Sequence, residues 1–189
     1  MSDKGHAYPA SNAIFLDNPI RRWIQPPQEL VEKLAIEPDE AVVDFGCGPG
    51  YFTVELAKRA KSVVAVDLSN EMLKKAQRKA AKATCSNIMF LQSDGKNIQL
   101  PDASADIILL VTVFHEVGDS ETVLKEFNRI LKPQGRLVIV ELIRRSFFVG
   151  APVQKPEVLT PEVEAGGFKL RELIPYKVFG VFCFIKKGA

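Results

Sequence analysis

The feature that most constrains the fold of this 189-residue chain is an apolar segment that leads through a glycine-rich loop into a helical pattern. Ala41–Phe45 predicts a short buried strand, Gly46, Gly48 and Gly50 follow it, and Tyr51–Ala60 predicts a helix. A strand that turns through glycines into a helix is typical of α/β folds, whose sheets bind ligands at this edge.

Further strand and helix patterns alternate along the chain. Apolar runs predict strands at Ser62–Val66, Asn87–Gln92, Asp106–Val113 and Arg136–Leu142. Ser69 is the expected N-cap of the first helix between them. The apolar stripes of the two longer helices comprise Met72, Leu73, Ala76 and Ala80, and Val123, Leu124, Phe127, Ile130 and Leu131. We expect Pro133 and Gly135 to end the second of these helices. This alternation predicts a parallel sheet with right-handed crossovers.

The end of the chain departs from the alternation. Phe168–Ile174 and Val178–Ile185 are strand-like runs joined by three residues, and so short a connection can join only antiparallel strands. The sequence therefore predicts an α/β fold with an open sheet that is mostly parallel and ends in an antiparallel hairpin.

The loop after the first strand carries the first candidate ligand contacts. Gly46 and Gly48 allow a tight turn and leave no side chain to hold a ligand away from the backbone. The helix that follows offers N–H groups to an anion, which could be a phosphate or the carboxylate of an amino-acid-like cofactor. Asp44 adds a negative charge that suits a ligand with an ammonium group. A purely structural turn is the alternative interpretation.

Acidic residues also follow the second and third predicted strands. Asp67 lies 21 residues after Gly46, where a carboxylate can accept hydrogen bonds from both hydroxyls of a ribose. Ser93, Asp94 and Gly95 follow the third strand and could contact an adenine edge. A solvated acid or first-turn helix residue at Asp67 and an Asx turn at Asp94 are the structural alternatives.

Together these segments resemble the class I S-adenosylmethionine (SAM)-dependent methyltransferases. The resemblance covers most of the chain and points to the small-molecule group related to the ubiquinone and menaquinone biosynthesis methyltransferases (methyltransferase type 11). Its motifs are the loop Asp44–Gly50, the segment Val66–Leu73, the segments Ser93–Gly95 and Leu100–Asp106, and the turn Leu131–Leu137. The family's Rossmann-like fold has helices on both faces and the strand order 3-2-1-4-5-7-6, in agreement with the predicted hairpin. The segment Thr160–Phe168 resembles the family's capped helix and turn before strand six, with an unusually short helix that would start at Thr160.

The resemblance also implies roles for individual residues. Asp44 would support the amino group of SAM, the loop glycines would run along its methionine part, and Asp67 would hold the ribose. Leu68 would pack on the adenine, and Asp94 and Gly95 would bind the adenine edge. The residues that the resemblance assigns to SAM, or to its product S-adenosylhomocysteine, are Asp44, Gly46, Gly48, Asp67, Leu68, Asp94 and Gly95.

A nicotinamide dinucleotide is the rival cofactor. Its fingerprint requires a third glycine five residues after the first, whereas Gly50 lies four residues after Gly46 and Tyr51 occupies the fifth position. The chain also lacks a Tyr-x-x-x-Lys pair and a P-loop motif. The sequence therefore favours a methyltransferase over a dehydrogenase.

His115 is the candidate catalytic residue. It follows the fourth predicted strand, at the edge where the resemblance places the sulfonium, and the ordinary pKa of an imidazole suits a base near neutral pH. Glu116 could orient it. A histidine that caps the strand end or packs beside the cofactor is the alternative. The segment lacks the second histidine of an HExxH zinc site.

Composition narrows the partners and the location. The formal net charge of +2 is too small to indicate a nucleic-acid or membrane partner. The predicted helix after Ser69 carries a run of basic residues, which is expected to form its solvated face. Its members are Lys74, Lys75, Arg78, Lys79 and Lys82. Three widely spaced cysteines predict no disulfide framework and no metal site, and indicate reduced thiols in the cytoplasm. The start of the chain lacks the apolar stretch of a secretory signal.

We expect residues 1–189 to form one methyltransferase domain. Residues 1–36 would form a helical segment and candidate lid, and residues 37–189 the Rossmann-like core. The aromatic and basic residues of that segment are Tyr8, Phe15, Arg21, Arg22 and Trp23, and a second candidate pocket wall holds Arg144, Arg145, Phe147 and Phe148. The predicted activity is methyl transfer to a small molecule. The alternatives are a protein or RNA acceptor, or a SAM-binding regulatory or assembly subunit without its own turnover.

Overall fold

The computed structural model describes residues 23–146 and 151–188. Its helices include α1 (Pro27–Lys33), α2 (Thr53–Ala57), α3 (Asn70–Lys82), α4 (Ser120–Ile130) and α5 (Pro156–Ala165), with a 3₁₀ helix at Phe114–Glu116. The strands are β1 (Ala41–Phe45), β2 (Ser62–Asp67), β3 (Ile88–Gln92), β4 (Ala105–Val111), β5 (Leu131–Leu142), β6 (Phe168–Tyr176) and β7 (Phe179–Lys186). The described strands form a seven-stranded sheet in the order β3-β2-β1-β4-β5-β7-β6, which confirms the predicted order.

One compact unit of the fold ends at Asp94 and contains three parallel strands. β1 pairs with β2 and β2 pairs with β3, both in parallel register. Val42, Val43 and Phe45 of β1 are buried because both faces of a parallel strand are covered. Helix α3 begins as predicted, since the Ser69 hydroxyl accepts a hydrogen bond from the Met72 N–H. The four residues of its predicted apolar stripe, Met72, Leu73, Ala76 and Ala80, are buried.

The other compact unit begins at Gly95 and contains β4 to β7. β4 and β5 are parallel, while β7 runs antiparallel to both β5 and β6. The predicted C-terminal hairpin is thereby confirmed, although β6 extends to Tyr176 instead of Ile174 and β7 runs from Phe179 to Lys186 instead of from Val178 to Ile185. The core of this unit contains aromatic side chains from both strands and a helix. Five of its phenylalanines are completely buried: Phe127, Phe168, Phe179, Phe182 and Phe184.

The predicted boundaries of two helices were wrong. The helix after the glycine-rich loop covers Thr53–Ala57 instead of Tyr51–Ala60, because the residues before it form turns. Helix α4 ends at Ile130, and β5 starts directly at Leu131 instead of Arg136. A register shift opposite Ala105–Ile107 absorbs the extra residues of β5, so the Pro–Gln–Gly segment lies within the strand.

The helix before the hairpin was also predicted incorrectly. It spans ten residues and starts at Pro156, so Thr160 lies inside it and is not its first residue. Proline is favoured in the first turn of a helix, so Pro156 and Pro161 each mark a position where a helix could start. Pro161 lacks the N–H that would donate to the previous turn, so the helix forgoes one hydrogen bond there.

Parts of the sequence predictions lie outside the described residues. These parts are residues 1–22, which include most of the candidate lid, together with Phe147 and Phe148. Organisation as one domain stays a prediction. Across the described ranges, no helix is long and apolar enough to cross a membrane.

Candidate cofactor-binding site

The backbone donors of the glycine-rich loop bond within the protein. The N–H groups of Gly46 and Cys47 both donate to the carbonyl of Val66, at 2.8 and 3.0 Å. The Gly50 N–H donates to the Cys47 carbonyl at 3.1 Å, and the Gly48 N–H donates to a carboxylate. The residue between those two glycines is a proline and has no N–H. Because these donors are used, the loop is unsuited to cradle a phosphate in the manner of a dinucleotide site.

Two glycines of the loop play different roles. Gly48 has a φ of +54°, and a Cβ built there would meet no atom within 4 Å. Gly50 has a φ of +77°, and a Cβ there would lie 2.9 Å from the Cβ of Ala76. Gly50 therefore lets the loop pack on α3, whereas Gly48 presents bare backbone to open space that a ligand can fill.

The carboxylate of Asp67 is held in place by backbone donors on two sides. Its Oδ2 accepts from the Gly48 N–H and its Oδ1 from the Ser69 N–H, both at 2.8 Å. Burial raises the pKa of Asp67, and the two backbone hydrogen bonds oppose that rise. Each oxygen of an ionised carboxylate has a further lone pair, so Asp67 can still accept from two ribose hydroxyls.

Asp44 is buried at the end of β1 and is 3% exposed. The Thr53 hydroxyl donates to its Oδ2 at 2.6 Å. Burial raises the pKa of Asp44 to about 7, against the lowering effect of the Thr53 hydrogen bond. The carboxyl therefore carries only part of the predicted negative charge near neutral pH, and a ligand ammonium beside it would favour the ionised form.

Cys47 lies in the loop but belongs to the core. It packs with Ala65 and Leu73, and Ile88 and Phe90 cover the cluster. Burial and then the charges of two neighbouring aspartates raise the pKa of the Cys47 thiol well above its ordinary value. Since the thiolate is the reactive form, Cys47 is suited to packing and unsuited to nucleophilic chemistry.

The remaining predicted cofactor residues follow β2 and β3. Leu68 is 45% exposed, an apolar surface next to Asp67. The Ser93 N–H donates to the Asp67 carbonyl at 3.2 Å, which ties the end of β3 to the end of β2. Asp94 is exposed, and Gly95 is buried with a φ of +88°. The contact of these two residues with an adenine stays a prediction.

The chemistry of these groups fits SAM, whose sulfonium and ammonium are positive. Asp44 and Asp67 place two carboxyl groups near the loop, and Gly48 leaves open space next to its backbone. A pyrophosphate would need free N–H groups from the loop, and the N–H groups described above already donate within the protein. Asp67 would hold the ribose and Asp44 the ammonium group.

His115 lies in the other unit, in the 3₁₀ helix after β4. Its Nδ1 is 3.1 Å from Oε2 and 3.2 Å from Oε1 of Glu141, which extends from β5. The backbone N–H of His115 donates to the same carboxylate at 3.4 Å. The predicted partner Glu116 is more distant, with 3.8 Å between its Oε1 and the Nε2 of His115. The carboxylate in hydrogen-bond contact with His115 is therefore Glu141.

Sequence reasoning missed two residues of these arrangements, Thr53 and Glu141. Glu141 had a detectable signal, because a glutamate within the apolar run Leu137–Leu142 must be paired or lie at a site. Thr53 had none, since a threonine in the first turn of a helix is ordinary. Its contact with Asp44 depends on how the loop folds back.

Comparisons with known proteins agree with this chemistry. Residues 43–139, just over half of the chain, match the family model described as a methyltransferase domain. An uncharacterized methyltransferase of Mycobacterium bovis is 32% identical over 107 residues, which cover 57% of this chain and 53% of that protein. A demethylmenaquinone methyltransferase of Corynebacterium efficiens is 30% identical over 141 residues, which cover 75% of this chain and 57% of that protein. The chain thus spans about half the length of the curated relatives it matches.

A solved structure matches nearly the whole chain. The SAM-dependent methyltransferase from Aquifex aeolicus is 26% identical and superposes with a TM-score of 0.86. The match covers 94% of this chain and 99% of that one. The family match and this likeness both imply SAM as the cofactor. This chain belongs to the family of SAM-dependent methyltransferase domains.

Proposed function

We propose that this chain is an enzyme that transfers a methyl group from SAM to a small organic molecule by in-line displacement. The observation that carries the proposal is the anchored carboxylate of Asp67 beside the open backbone of Gly48. This arrangement supplies acceptors for ribose hydroxyls and space for a ligand. It also lacks free loop N–H donors for a pyrophosphate.

The residues of the site bind and orient more than they react. SAM supplies a methyl group on a sulfonium, and its leaving group departs as a neutral thioether. Asp67 fixes the ribose, Asp44 stabilises the ammonium group, and Leu68 covers the adenine, with Asp94 and Gly95 at its edge. A preorganised geometry of this kind contributes by aligning the methyl group with its acceptor.

A small organic acceptor is supported by the relatives. Several relatives, including those from Corynebacterium efficiens and Geobacillus, are named demethylmenaquinone methyltransferase. That name describes a small-molecule acceptor for those proteins. Within this class we propose that His115 acts on the acceptor side of the reaction. Its contact with a buried carboxylate supports a functional role over simple capping of the strand end.

The cofactor assignment can be tested by calorimetric titration of the full chain with SAM, S-adenosylhomocysteine and NAD. We expect the first two to bind and NAD not to bind. Asp67→Asn should weaken both SAM-type ligands by about 10- to 100-fold, because it removes charge-assisted hydrogen bonds to the ribose. Asparagine keeps one oxygen for a backbone N–H, so the loop should still fold.

The matched control is Asp39→Asn, an exposed aspartate whose change should leave both affinities as they are. Binding of NAD alone would contradict the proposal, as would an unaltered SAM affinity in Asp67→Asn. SAM binding without methyl transfer to a broad set of small acceptors would instead favour a regulatory or assembly subunit.

A further inference from the structure

The pair formed by His115 and Glu141 has the geometry of a fixed hydrogen bond. Glu141 has no exposed surface, and the side chain of His115 is 11% exposed. Both oxygens of Glu141 lie within 3.2 Å of a single ring nitrogen, Nδ1. The backbone N–H of His115 also points to Oε1. Strand β5 thus supplies the carboxylate. The 3₁₀ helix that follows β4, which pairs with β5, supplies the imidazole.

This geometry determines which ring nitrogen carries the proton. An ionised carboxylate only accepts hydrogen bonds, and a buried one is costly unless donors surround it. Nδ1 must therefore carry a hydrogen and donate it to Glu141. In the neutral imidazole the other nitrogen, Nε2, is then the basic one. Glu116, on the same 3₁₀ helix, places a second carboxylate near the ring, with its Oε1 3.8 Å from Nε2.

We propose that Glu141 is a positioning residue that holds His115 with Nε2 ready to accept a proton from the methyl acceptor. The inference rests on the proposed function. It specifies the acceptor class as a molecule with a proton on the attacked atom, such as a hydroxyl group. The acceptor's lone pair forms the bond to the methyl carbon, the broken carbon–sulfur bond leaves its electron pair on sulfur, and the proton moves to Nε2. The resulting imidazolium is balanced by Glu141.

The tautomer of His115 can be measured without cofactor or acceptor. The chain has two histidines, His6 and His115, so ¹⁵N labelling of histidine gives two sets of ring signals that His115→Gln assigns. At pH 8 we expect His115 to be neutral with the hydrogen on Nδ1. Glu141→Gln places an amide N–H against Nδ1 and should move the hydrogen to Nε2. Glu116→Gln is the matched control and should leave the tautomer unchanged.

A chemical probe distinguishes a base from a histidine that only supports the fold. Diethyl pyrocarbonate acylates an unprotonated and accessible imidazole nitrogen. We expect His115 to be modified in the wild-type protein and in Glu116→Gln, and several-fold more slowly in Glu141→Gln, with His6 as the internal reference. Mass spectrometry of the digested protein reads both sites.

Three results would overturn the inference. The first is a wild-type His115 with its hydrogen on Nε2, and the second is an imidazolium that persists at pH 8, which would make His115 a fixed countercharge. The third is a His115 that resists acylation while His6 reacts. Should Glu141→Gln fail to fold, the wild-type spectrum and acylation rate still decide. These readouts need no SAM, so they fail or succeed independently of the titration that tests the proposed function.

Discussion

Single glycines in the loop separate the requirements of folding from those of binding. Gly48→Ala adds a methyl group where no protein atom lies within 4 Å, at a φ of +54°. We expect it to fold with a loss of about 1–2 kcal/mol for the left-handed backbone and to bind SAM much more weakly. Gly50→Ala meets a similar backbone penalty and also drives a methyl group against Ala76. Its expected loss is larger by about 1–3 kcal/mol.

Thermal denaturation and SAM titration of the two variants provide the measurement. The expected pattern is a stable Gly48→Ala with impaired binding and a destabilised Gly50→Ala. Full SAM affinity in Gly48→Ala would show that the open space beside this glycine is not the ligand's position.

The buried carboxyl of Asp44 makes stability depend on pH. Its pKa is about 7 in the folded protein and near the ordinary 3.8 when unfolded, so the folded state holds the proton more tightly. Stability therefore falls as pH rises from about 4 to 7, by on the order of 4 kcal/mol. Asp44→Asn keeps an acceptor for the Thr53 hydroxyl and removes the charge.

Denaturant unfolding at several pH values tests this relation. The stability of Asp44→Asn relative to wild type should improve between pH 5 and pH 7 and level off above that. A constant difference across that interval would mean that Asp44 does not titrate there in the folded protein.

At the scale of elements, α4 is joined to the loop between β3 and β4 by a partly buried ionic network. Glu126 accepts from the Ile98 N–H at 2.7 Å and from two nitrogens of Arg129 at 2.7 and 2.8 Å. Arg129 also donates to the carbonyls of Ile98 and Leu100. The network therefore fixes the loop that leads into β4.

Glu126→Gln should lower the free energy of unfolding by about 2 kcal/mol, since one partner of a charge-assisted network is lost. The Arg129 hydrogen bond lowers the pKa of Glu126. Wild type should therefore keep its advantage above about pH 4.3 and lose it as pH falls through the lowered pKa. The control is Glu121→Gln, which removes an exposed pair with Lys125 and should cost less than about 0.5 kcal/mol. Equal losses in the two variants would contradict the structural role of Glu126.

At the scale of the whole molecule, strand position should control local opening. β5 pairs on both sides, with β4 and β7, and Leu137–Val140 is almost completely buried. β3 is the first strand of the sheet order and pairs with β2, and its residues are partly exposed. Hydrogen exchange followed by mass spectrometry should show β3 exchanging well before β5. Equal protection would indicate that another segment or chain covers the β3 edge.

The sequence by itself determined the elements whose pattern is local and repetitive. β1 was predicted to the residue, and the buried stripe of α3 and its Ser69 cap were predicted correctly, because hydrophobic periodicity and capping act within a few residues. The C-terminal hairpin followed from a connection too short for a parallel pair. The strand order came from the family resemblance carried by several motifs in sequence.

Only the tertiary structure decided the contacts that join distant segments. The Gly48 N–H meets Asp67 nineteen residues away, and Nδ1 of His115 meets Glu141 twenty-six residues away. The start of α5 and the long β5 also depended on context, since the same proline signals fit more than one register. Such outcomes depend on which strands become neighbours, and on which polar groups must find a partner once burial removes water.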